Sequence, residues 1–202
     1  MARFCRKAPR RAVSYADLRS SPLSCMTSLP PLLQGARVTL RPLTPADKDL
    51  FYQWAVRSDA TPFIFNTADN SGLPTWEQLF SDYQPHYFDA SDPAQGQSFG
   101  ILADGRLIGQ VNYDGVDPLD NSTELDIWIA SSTDTSRGYG TDALTTLMDY
   151  LFAQLGVEVC TIVPAASNTR AVRTYEKAGF RLAREVTHNQ VRWLHMERQR
   201  PA

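Results

Sequence analysis

The hydrophobic pattern of the chain switches between two periods, and their order predicts an α/β domain. Short alternating or apolar runs predict strands at 37–43, 98–103, 106–113, 123–130, 157–163, 180–186 and 191–197. Apolar residues three and four positions apart predict helices at 45–57, near 75–80, 138–155 and 168–178. The order β-α-α-β-β-β-α-β-α-β-β, without internal repeats, favours an α/β (α+β) fold with a mixed central sheet flanked by helices.

Turn and cap residues support these boundaries. Asp104-Gly105 is a two-residue hairpin signal between two of the strands. Thr44 is placed to cap the first helix, and Pro45 takes its first position. Residues 84–97 are polar and rich in turn formers, so an irregular connection is expected there.

One strand places two acidic side chains and one aromatic side chain on the same face. Side chains of a strand point alternately to opposite faces of the sheet. In the strand at 123–130 the apolar face carries Leu125, Ile127 and Ile129. The other face carries Glu124, Asp126 and Trp128. This face is therefore the candidate for binding and chemistry.

Composition indicates a soluble globular protein. The chain has 202 residues, of which 43% are hydrophobic and 21% charged, and the length fits one domain. No apolar run approaches the roughly 18 residues that span a bilayer, so no membrane partner is expected. Cys5, Cys25 and Cys160 have neither metal-like nor redox-like spacing, which favours free thiols in the cytoplasm. No metal cluster is expected from the scattered His86, His188 and His195.

The charge is unevenly distributed along the chain. Residues 1–25 contain six basic residues against one acidic residue, Asp17, while the whole chain has a net charge of −2, so the remainder carries about −7. An acidic body argues against a nucleic-acid partner and favours a cationic ligand. We expect residues 1–34 to be a disordered or artefactual basic extension, with a transit peptide left open, and 35–202 to be the domain.

The stretch 136–144, Ser-Arg-Gly-Tyr-Gly-Thr-Asp-Ala-Leu, stands where a strand gives way to a helix. A helix start presents unpaired N–H groups, and Gly138 and Gly140 would let a phosphate approach them. Arg137 adds a cation beside them. A Walker loop is excluded because no Gly-Lys-Ser/Thr follows, and a Rossmann fingerprint lacks its third glycine. By itself, this stretch is also consistent with an ordinary structural turn that binds no phosphate.

A second motif, Asn168-Thr-Arg-Ala-Val-Arg-Thr-Tyr-Glu-Lys-Ala-Gly-Phe, follows the next strand. Together with the glycine stretch it resembles the GCN5-related N-acetyltransferase (GNAT) superfamily over about residues 36–198. In that family the glycine stretch binds the pyrophosphate of acetyl-CoA, and the second motif forms a helix that contacts CoA. One departure is Thr135, where the family often carries Gln or Arg three residues before the first glycine.

The resemblance implies a site between two splayed strands, 123–130 and 157–163. Acetyl-CoA enters the gap, its pantetheine pairs with the first strand, and the acceptor amine attacks the thioester directly. The residues that the resemblance assigns to the cofactor are Ile127, Trp128, Ile129, Arg137, Gly138, Tyr139, Gly140, Thr141, Asn168, Arg173 and Tyr175.

Three residues are the catalytic candidates on the same resemblance. Asp126 is expected to bind the amine and accept its proton, and Glu124 is the second candidate for that role. A neighbouring acid such as Glu124 would raise the pKa of Asp126. Tyr175 matches the family's tyrosine that protonates the leaving CoA thiolate. Trp128 either lines the acceptor site or packs in the core.

The motifs look most like the aminoglycoside 6′-N-acetyltransferase branch, which would make the protein an antibiotic-resistance enzyme. There an aspartate on this strand sits at the reacting amine, and Asp126 takes the matching place. The expected partner is a small cationic amine, bound by a monomer or a homodimer. The acceptor site is expected to contain Asp126, Glu124 and Trp128. Further acidic residues that could line it are Asp114 and Asp89, and also Asp82, Asp92, Asp117 and Asp120. An aromatic wall could come from Phe63, Phe65, Trp76, Tyr83 and Tyr87.

Three other functions remain open on the sequence. One is N-terminal acetylation of a protein or peptide by an enzyme of the ribosomal-protein type, which shares the Gly-Tyr-Gly-Thr loop. Another is acetylation of a siderophore amine. The third is a non-catalytic module that binds acyl-CoA. The identity of the amine, its regiochemistry and the choice between Glu124 and Asp126 as base do not follow from the sequence.

Overall fold

The central feature of the protein is one mixed sheet of eight strands, seen in a computed structural model that describes residues 32–59, 61–62, 72–81 and 83–202. The strands are β1 (Leu33–Gln34), β2 (Thr39–Pro42), β3 (Gly96–Ala103), β4 (Arg106–Asp114), β5 (Ser122–Ile129), β6 (Val159–Ile162), β7 (Arg181–His188) and β8 (Val191–Gln199). The described helices are α1 (Lys48–Arg57), α2 (Trp76–Phe80), α3 (His86–Asp89), α4 (Tyr139–Gln154) and α5 (Thr169–Lys177). The order in the sheet is β1-β2-β3-β4-β5-β6-β8-β7.

The seven predicted strands and four predicted helices are all present among the described residues, together with several short elements that were not foreseen. The expectation of an irregular connection at 84–97 is wrong in part, because α3 forms there and a short 3-10 helix, Pro93–Gln95, precedes β3. β1 pairs with β2 at the edge of the sheet, inside the segment that the sequence assigned to the extension. The two-residue hairpin is confirmed, with positive φ at both Asp104 and Gly105.

α4 covers one face of the sheet and forms the larger core. Its buried side chains include Leu144, Leu147 and Met148, and they pack against Val111 and Leu125 of the sheet. Cys160 is also buried in this core as a free thiol, while Cys5 and Cys25 lie outside the described residues. Among the described residues, no helix combines the length and the apolar character that a membrane span requires.

A cluster of aromatic rings covers the opposite face. Phe51 lies at its centre, with ring centroids 4.9 Å from Trp128, 5.5 Å from Tyr83, 5.8 Å from Phe80 and 5.9 Å from Phe88. Aromatic pairs at these separations and tilts stabilise beyond the area they bury. The cluster fixes α1, α2 and α3 over the sheet face that carries the acidic residues of β5. Phe63 and Phe65, which were predicted for an aromatic wall, and Asp82, which was predicted for the acidic acceptor site, lie outside the described residues.

β5 and β6 separate part of the way along β5. Their parallel pairing covers Ser122, Thr123 and Glu124, whereas β4 pairs with β5 as far as Ile129. Within the described residues, the half of β5 from Leu125 to Ile129 therefore has a strand neighbour only on the β4 side. The gap stands at the place where the resemblance predicted splayed strands, and it leads to the start of α4.

Candidate active site

Asp126 lies on the half of β5 that β6 does not cover. It pairs in register with Asn112 of β4, and its Oδ1 accepts a hydrogen bond of 2.8 Å from the N–H of Ile127. Glu124 points to the same face but belongs to the part of β5 that still pairs with β6. The structure therefore places Asp126, rather than Glu124, directly at the gap.

The surroundings of Asp126 change its acidity. The Asp126 side chain is exposed to solvent, but protein atoms crowd around its carboxyl group, and this desolvation raises its pKa. The hydrogen bond from Ile127 opposes this shift, while the negative charge of Asp114 adds to it. The sequence named Glu124 as the neighbour that would raise this pKa; the charged neighbour found to do so is Asp114.

Tyr175 is brought to the same place by α5. Its side chain is only 7% exposed, and its ring lies 6.2 Å from that of Phe180. Burial raises the pKa of the Tyr175 phenol, and the charge of Asp126 raises it further. Tyr175 therefore keeps its proton at neutral pH and can donate it.

The glycine stretch forms the N-terminus of α4. Gly138 is the N-cap with φ of 84°, a conformation that L side chains rarely adopt, and its carbonyl accepts the first helical bond from Asp142 N–H at 3.0 Å. A Cβ on Gly140 would meet the Thr174 methyl at 3.4 Å and Ile127 Cδ1 at 3.9 Å, both ordinary contacts. Neither glycine has a side chain of its own to cover the backbone of the first turn, although the Arg37 guanidinium lies against Gly138. This arrangement fits a phosphate bound at a helix start.

Arg137 is held by its own loop. Its Nη1 lies 3.6 Å from Oδ1 of the buried Asp134, and its guanidinium lies 5.2 Å from the Tyr139 ring centroid. Arg106 shares the same Asp134 at 3.0 Å, and the Tyr139 hydroxyl donates to Asp104. The contact of Arg137 with a phosphate remains a prediction, as does that of Tyr139, whose side chain contacts Asp104 and Arg137.

Sequence reasoning missed one cation beside the loop. Arg170, in the first turn of α5, donates from Nη1 to Oγ1 of Thr135 at 3.2 Å. Its position two residues after Asn168 was the available signal. Asn168 caps α5 by accepting the N–H of Ala171 at 3.2 Å, whereas Arg173 is exposed on the same helix.

The candidate acidic residues separate into two groups. Asp114 lies at the end of β4 beside Asp126 and accepts a 2.9 Å hydrogen bond from the Tyr87 hydroxyl. Asp89, at the end of α3, accepts the N–H of Ser91, and this bond lowers its pKa. Asp117 and Asp120 likewise accept backbone N–H groups of their own turn. Asp114 therefore has an observed electrostatic link to Asp126.

Trp128 packs rather than opening toward the gap. It is 9% exposed and belongs to the aromatic cluster, and no hydrogen-bond partner of its Nε1 is found among the described residues. Contact of its indole with an acceptor remains a prediction. No group of metal-binding side chains occurs in the part of the chain that the structure describes.

Comparisons with known proteins agree with this geometry. The acetyltransferase (GNAT) domain family matches residues 37–181. A putative ribosomal N-acetyltransferase of Bacillus subtilis, YdaF, is 25% identical over 146 residues, covering 71% of this chain and 77% of the relative. An aminoglycoside N(6′)-acetyltransferase type 1 of Klebsiella pneumoniae is 26% identical over 157 residues, covering 74% and 77%.

A solved structure shares the fold over a similar span. The aminoglycoside acetyltransferase AAC(6′)-Ib, in complex with paromomycin and acetyl-CoA, matches with a TM-score of 0.67 and 25% identity, covering 81% of this chain and 94% of that chain. The prediction of acetyl-CoA as cofactor is confirmed at the level of the family. The chain belongs to the GNAT acetyltransferase family and is an N-acetyltransferase.

Proposed function

We propose that the protein transfers the acetyl group of acetyl-CoA to a primary amine of an aminoglycoside by direct attack of the amine. The observation that carries this proposal is the position of Asp126, at the uncovered half of β5, where it interacts electrostatically with both Asp114 and Tyr175. An acceptor ammonium placed there would meet two carboxylates and a buried phenol. Acetyl-CoA supplies the activated acetyl group as a thioester.

Asp126 binds the ammonium group and accepts a proton from it. The attacking amine must be neutral, and at neutral pH it arrives protonated. A carboxylate with a raised pKa is a stronger base than an ordinary carboxylate and remains accessible through the gap. Asp114 adds negative charge that favours the cation, and Glu124 lies two residues before Asp126 on the same face of β5.

Tyr175 protonates the departing thiolate. Its buried phenol holds its proton at neutral pH because both burial and the charge of Asp126 raise its pKa. Backbone N–H groups along the uncovered half of β5 are our candidates for stabilising the tetrahedral oxyanion. Most of the rate enhancement would come from holding the amine and the thioester at the distance and orientation that the reaction requires.

Aminoglycosides fit because they carry several ammonium groups on a compact scaffold. The domain without residues 1–25 is acidic, and Asp114 and Asp126 focus that charge at the gap. The similarity to aminoglycoside acetyltransferases over three quarters of the chain adds support, at an identity of 26%. Acetylation would remove one positive charge from the drug, which is the basis of a resistance function.

The second candidate acceptor is the N-terminal amine of a protein or peptide. The similarity to YdaF, a putative ribosomal N-acetyltransferase, favours it at 25% identity. Such an acceptor presents a single cation followed by an extended backbone, so it would gain less binding free energy from Asp114 and Asp126 than an aminoglycoside would.

A thiol-release assay separates these acceptors. Purified protein and acetyl-CoA are mixed in turn with kanamycin, with a polyamine and with a short peptide that has a free N-terminus. We expect turnover with kanamycin and its loss in Asp126→Asn. Turnover with the peptide alone would replace the aminoglycoside with the second candidate. Absence of turnover with every amine, with CoA binding intact, would favour a non-catalytic acyl-CoA-binding module.

A further inference from the structure

Arg137, which precedes the N-cap of α4, accepts a hydrogen bond from Arg37, which precedes β2 in the chain. Arg37 donates from Nη1 to the carbonyl oxygen of Arg137, one hundred residues later in the chain. The same nitrogen would lie 2.8 Å from a Cβ on Gly138. Gly138 is therefore favoured by its positive φ, and its lack of a Cβ also leaves room for the Arg37 guanidinium in this position.

The contact fixes the direction of the next N–H group. A trans peptide unit is planar, with its C=O and N–H bonds pointing to opposite sides. The described chain has no cis peptide bond, so the carbonyl of Arg137 and the N–H of Gly138 point in opposite directions. Because Arg37 holds the carbonyl on one side, the Gly138 N–H is turned away from Arg37. It is this N–H that opens the phosphate-binding turn of α4.

Asp142 fastens the segment that carries Arg37. Its carboxylate accepts three backbone N–H groups, from Ala36 at 3.2 Å, Arg37 at 2.7 Å and Val38 at 2.9 Å. A Cβ on Gly35 would come within 2.5 Å of the Asp142 carboxylate. Asp142 lies in the first turn of α4. Its hydrogen bonds to residues 36–38 therefore hold the segment that contains Arg37 against the start of this helix.

We propose that Arg37, anchored by Asp142, is a positioning residue for binding of the CoA pyrophosphate. It acts through the Arg137–Gly138 peptide rather than by touching the phosphate. The inference rests on the assignment of the pyrophosphate to the α4 start, which is part of the acetyltransferase function above. It does not depend on which amine is the acceptor.

The experiment measures binding rather than turnover. CoA, dephospho-CoA and pantetheine compete against a fluorescently labelled CoA on the wild-type chain, Arg37→Ala, Arg37→Lys and Asp142→Asn. Arg200→Ala is the matched control, because Arg200 is a partly exposed arginine that pairs with Glu158 at the opposite end of the β5–β6 pair. Thermal unfolding of each variant checks that it is folded at the assay temperature.

We expect Arg37→Ala to weaken CoA and dephospho-CoA about tenfold, the scale of one hydrogen bond from a charged donor. Pantetheine, which lacks the pyrophosphate, should change less than about twofold on the same scale. Arg37→Lys keeps a donor and a charge, so it should recover part of the loss. Equal losses for all three ligands would overturn the proposal, and so would a loss confined to CoA, because that pattern would place Arg37 at the 3′-phosphate.

The Asp142→Asn variant distinguishes an effect of Asp142 on the position of Arg37 from an effect of its negative charge on CoA binding. If only charge mattered, removing a carboxylate near a phosphate site would strengthen CoA binding. Positioning predicts the opposite, because an asparagine amide would confront the backbone N–H groups of residues 36–38 and loosen Arg37. Stronger binding would therefore overturn the proposal. A wild-type chain that fails to bind CoA would reject the cofactor site itself, whereas unaffected variants on a wild-type chain that binds would reject Arg37 alone.

Discussion

The carboxylate of Asp126 interacts electrostatically with the phenol of Tyr175, although the two residues come from β5 and α5. Burial raises the pKa of Tyr175, and the charge of Asp126 raises it further. Burial also raises the pKa of Asp126. Asp126 is thus a stronger base than an ordinary carboxylate, and Tyr175 retains its proton at neutral pH, so one group is able to take up a proton while the other still holds one.

Replacing Tyr175 with phenylalanine should lower kcat while leaving CoA affinity nearly unchanged. The expected loss is about 10²-fold, the low end of general acid catalysis, because a thiol is a better leaving group than an alcohol. Burial of the ring should be retained. Steady-state kinetics with the acceptor identified by the thiol-release assay measure this effect.

Tyr150→Phe is the matched control for Tyr175→Phe. Tyr150 lies on α4, half-buried against Phe99, with its ring centroid 6.2 Å away, and it takes no part in the gap. Its variant should keep the wild-type kcat. If Tyr175→Phe also kept it, the proton would have to reach the thiolate from water, and the assignment of Tyr175 would be wrong.

Asp126→Asn should lower kcat/KM by about 10²-fold or more, the scale of a lost general base. Asparagine keeps the shape and can still accept the N–H of Ile127, so the strand should be undisturbed. Asp149→Asn, an exposed change on α4, serves as control. If Asp126→Asn kept full activity while Glu124→Gln lost it, the base would be Glu124.

Local chemistry explains which parts of this arrangement were predictable. The faces of β5 and the cap at Gly138 follow from strand alternation and helix-start chemistry over a few residues. α3 was missed because its four residues have no helical period of their own; burial of Phe88 in the aromatic cluster stabilises it. The Arg37–Arg137 contact joins residues that are 100 positions apart, so no local pattern contains it. The packing of Trp128 is likewise set by Phe51 across the fold.

Asp114→Asn should shift the acidic limb of the pH–rate profile to lower pH. Burial is the main cause of the raised pKa of Asp126, and the charge of Asp114 adds to it. Removing that charge lowers the pKa of Asp126, so the base form persists at more acidic pH. Asparagine Oδ1 can still accept the hydrogen bond from Tyr87. Profiles of kcat with one acceptor, compared with Asp149→Asn, measure the shift, and an unmoved limb would show that Asp126 does not control it.

Gly109→Ala should destabilise the domain and weaken activity together. A Cβ there would lie 2.2 Å from the Trp128 carbonyl oxygen and 3.0 Å from the Ile129 Cα, both backbone atoms of β5. Strand separation at this point would cost about 1–3 kcal/mol, the scale of overpacking. Gly115→Ala is the control, because its nearest contact would be an ordinary 3.4 Å to the Gln95 carbonyl. Urea unfolding compares the two; equal stabilities would mean that β4 and β5 tolerate the methyl group.

Asp126→Asn should also raise the melting temperature at neutral pH. The folded pKa of Asp126 lies above its unfolded value, so the native state binds the proton more tightly than the unfolded chain. The stability linked to that proton is fully present below the unfolded pKa and is lost as the pH rises through the folded pKa. Asparagine resembles the protonated form, so the variant should gain over wild type above the folded pKa and lose this advantage below about pH 4, near the ordinary pKa of aspartate. Thermal unfolding of both proteins from pH 4 to pH 8 tests this. A melting temperature that falls at pH 8 on substitution would mean that Asp126 is held by favourable contacts, and a residue stabilised as its carboxylate would be a poor base.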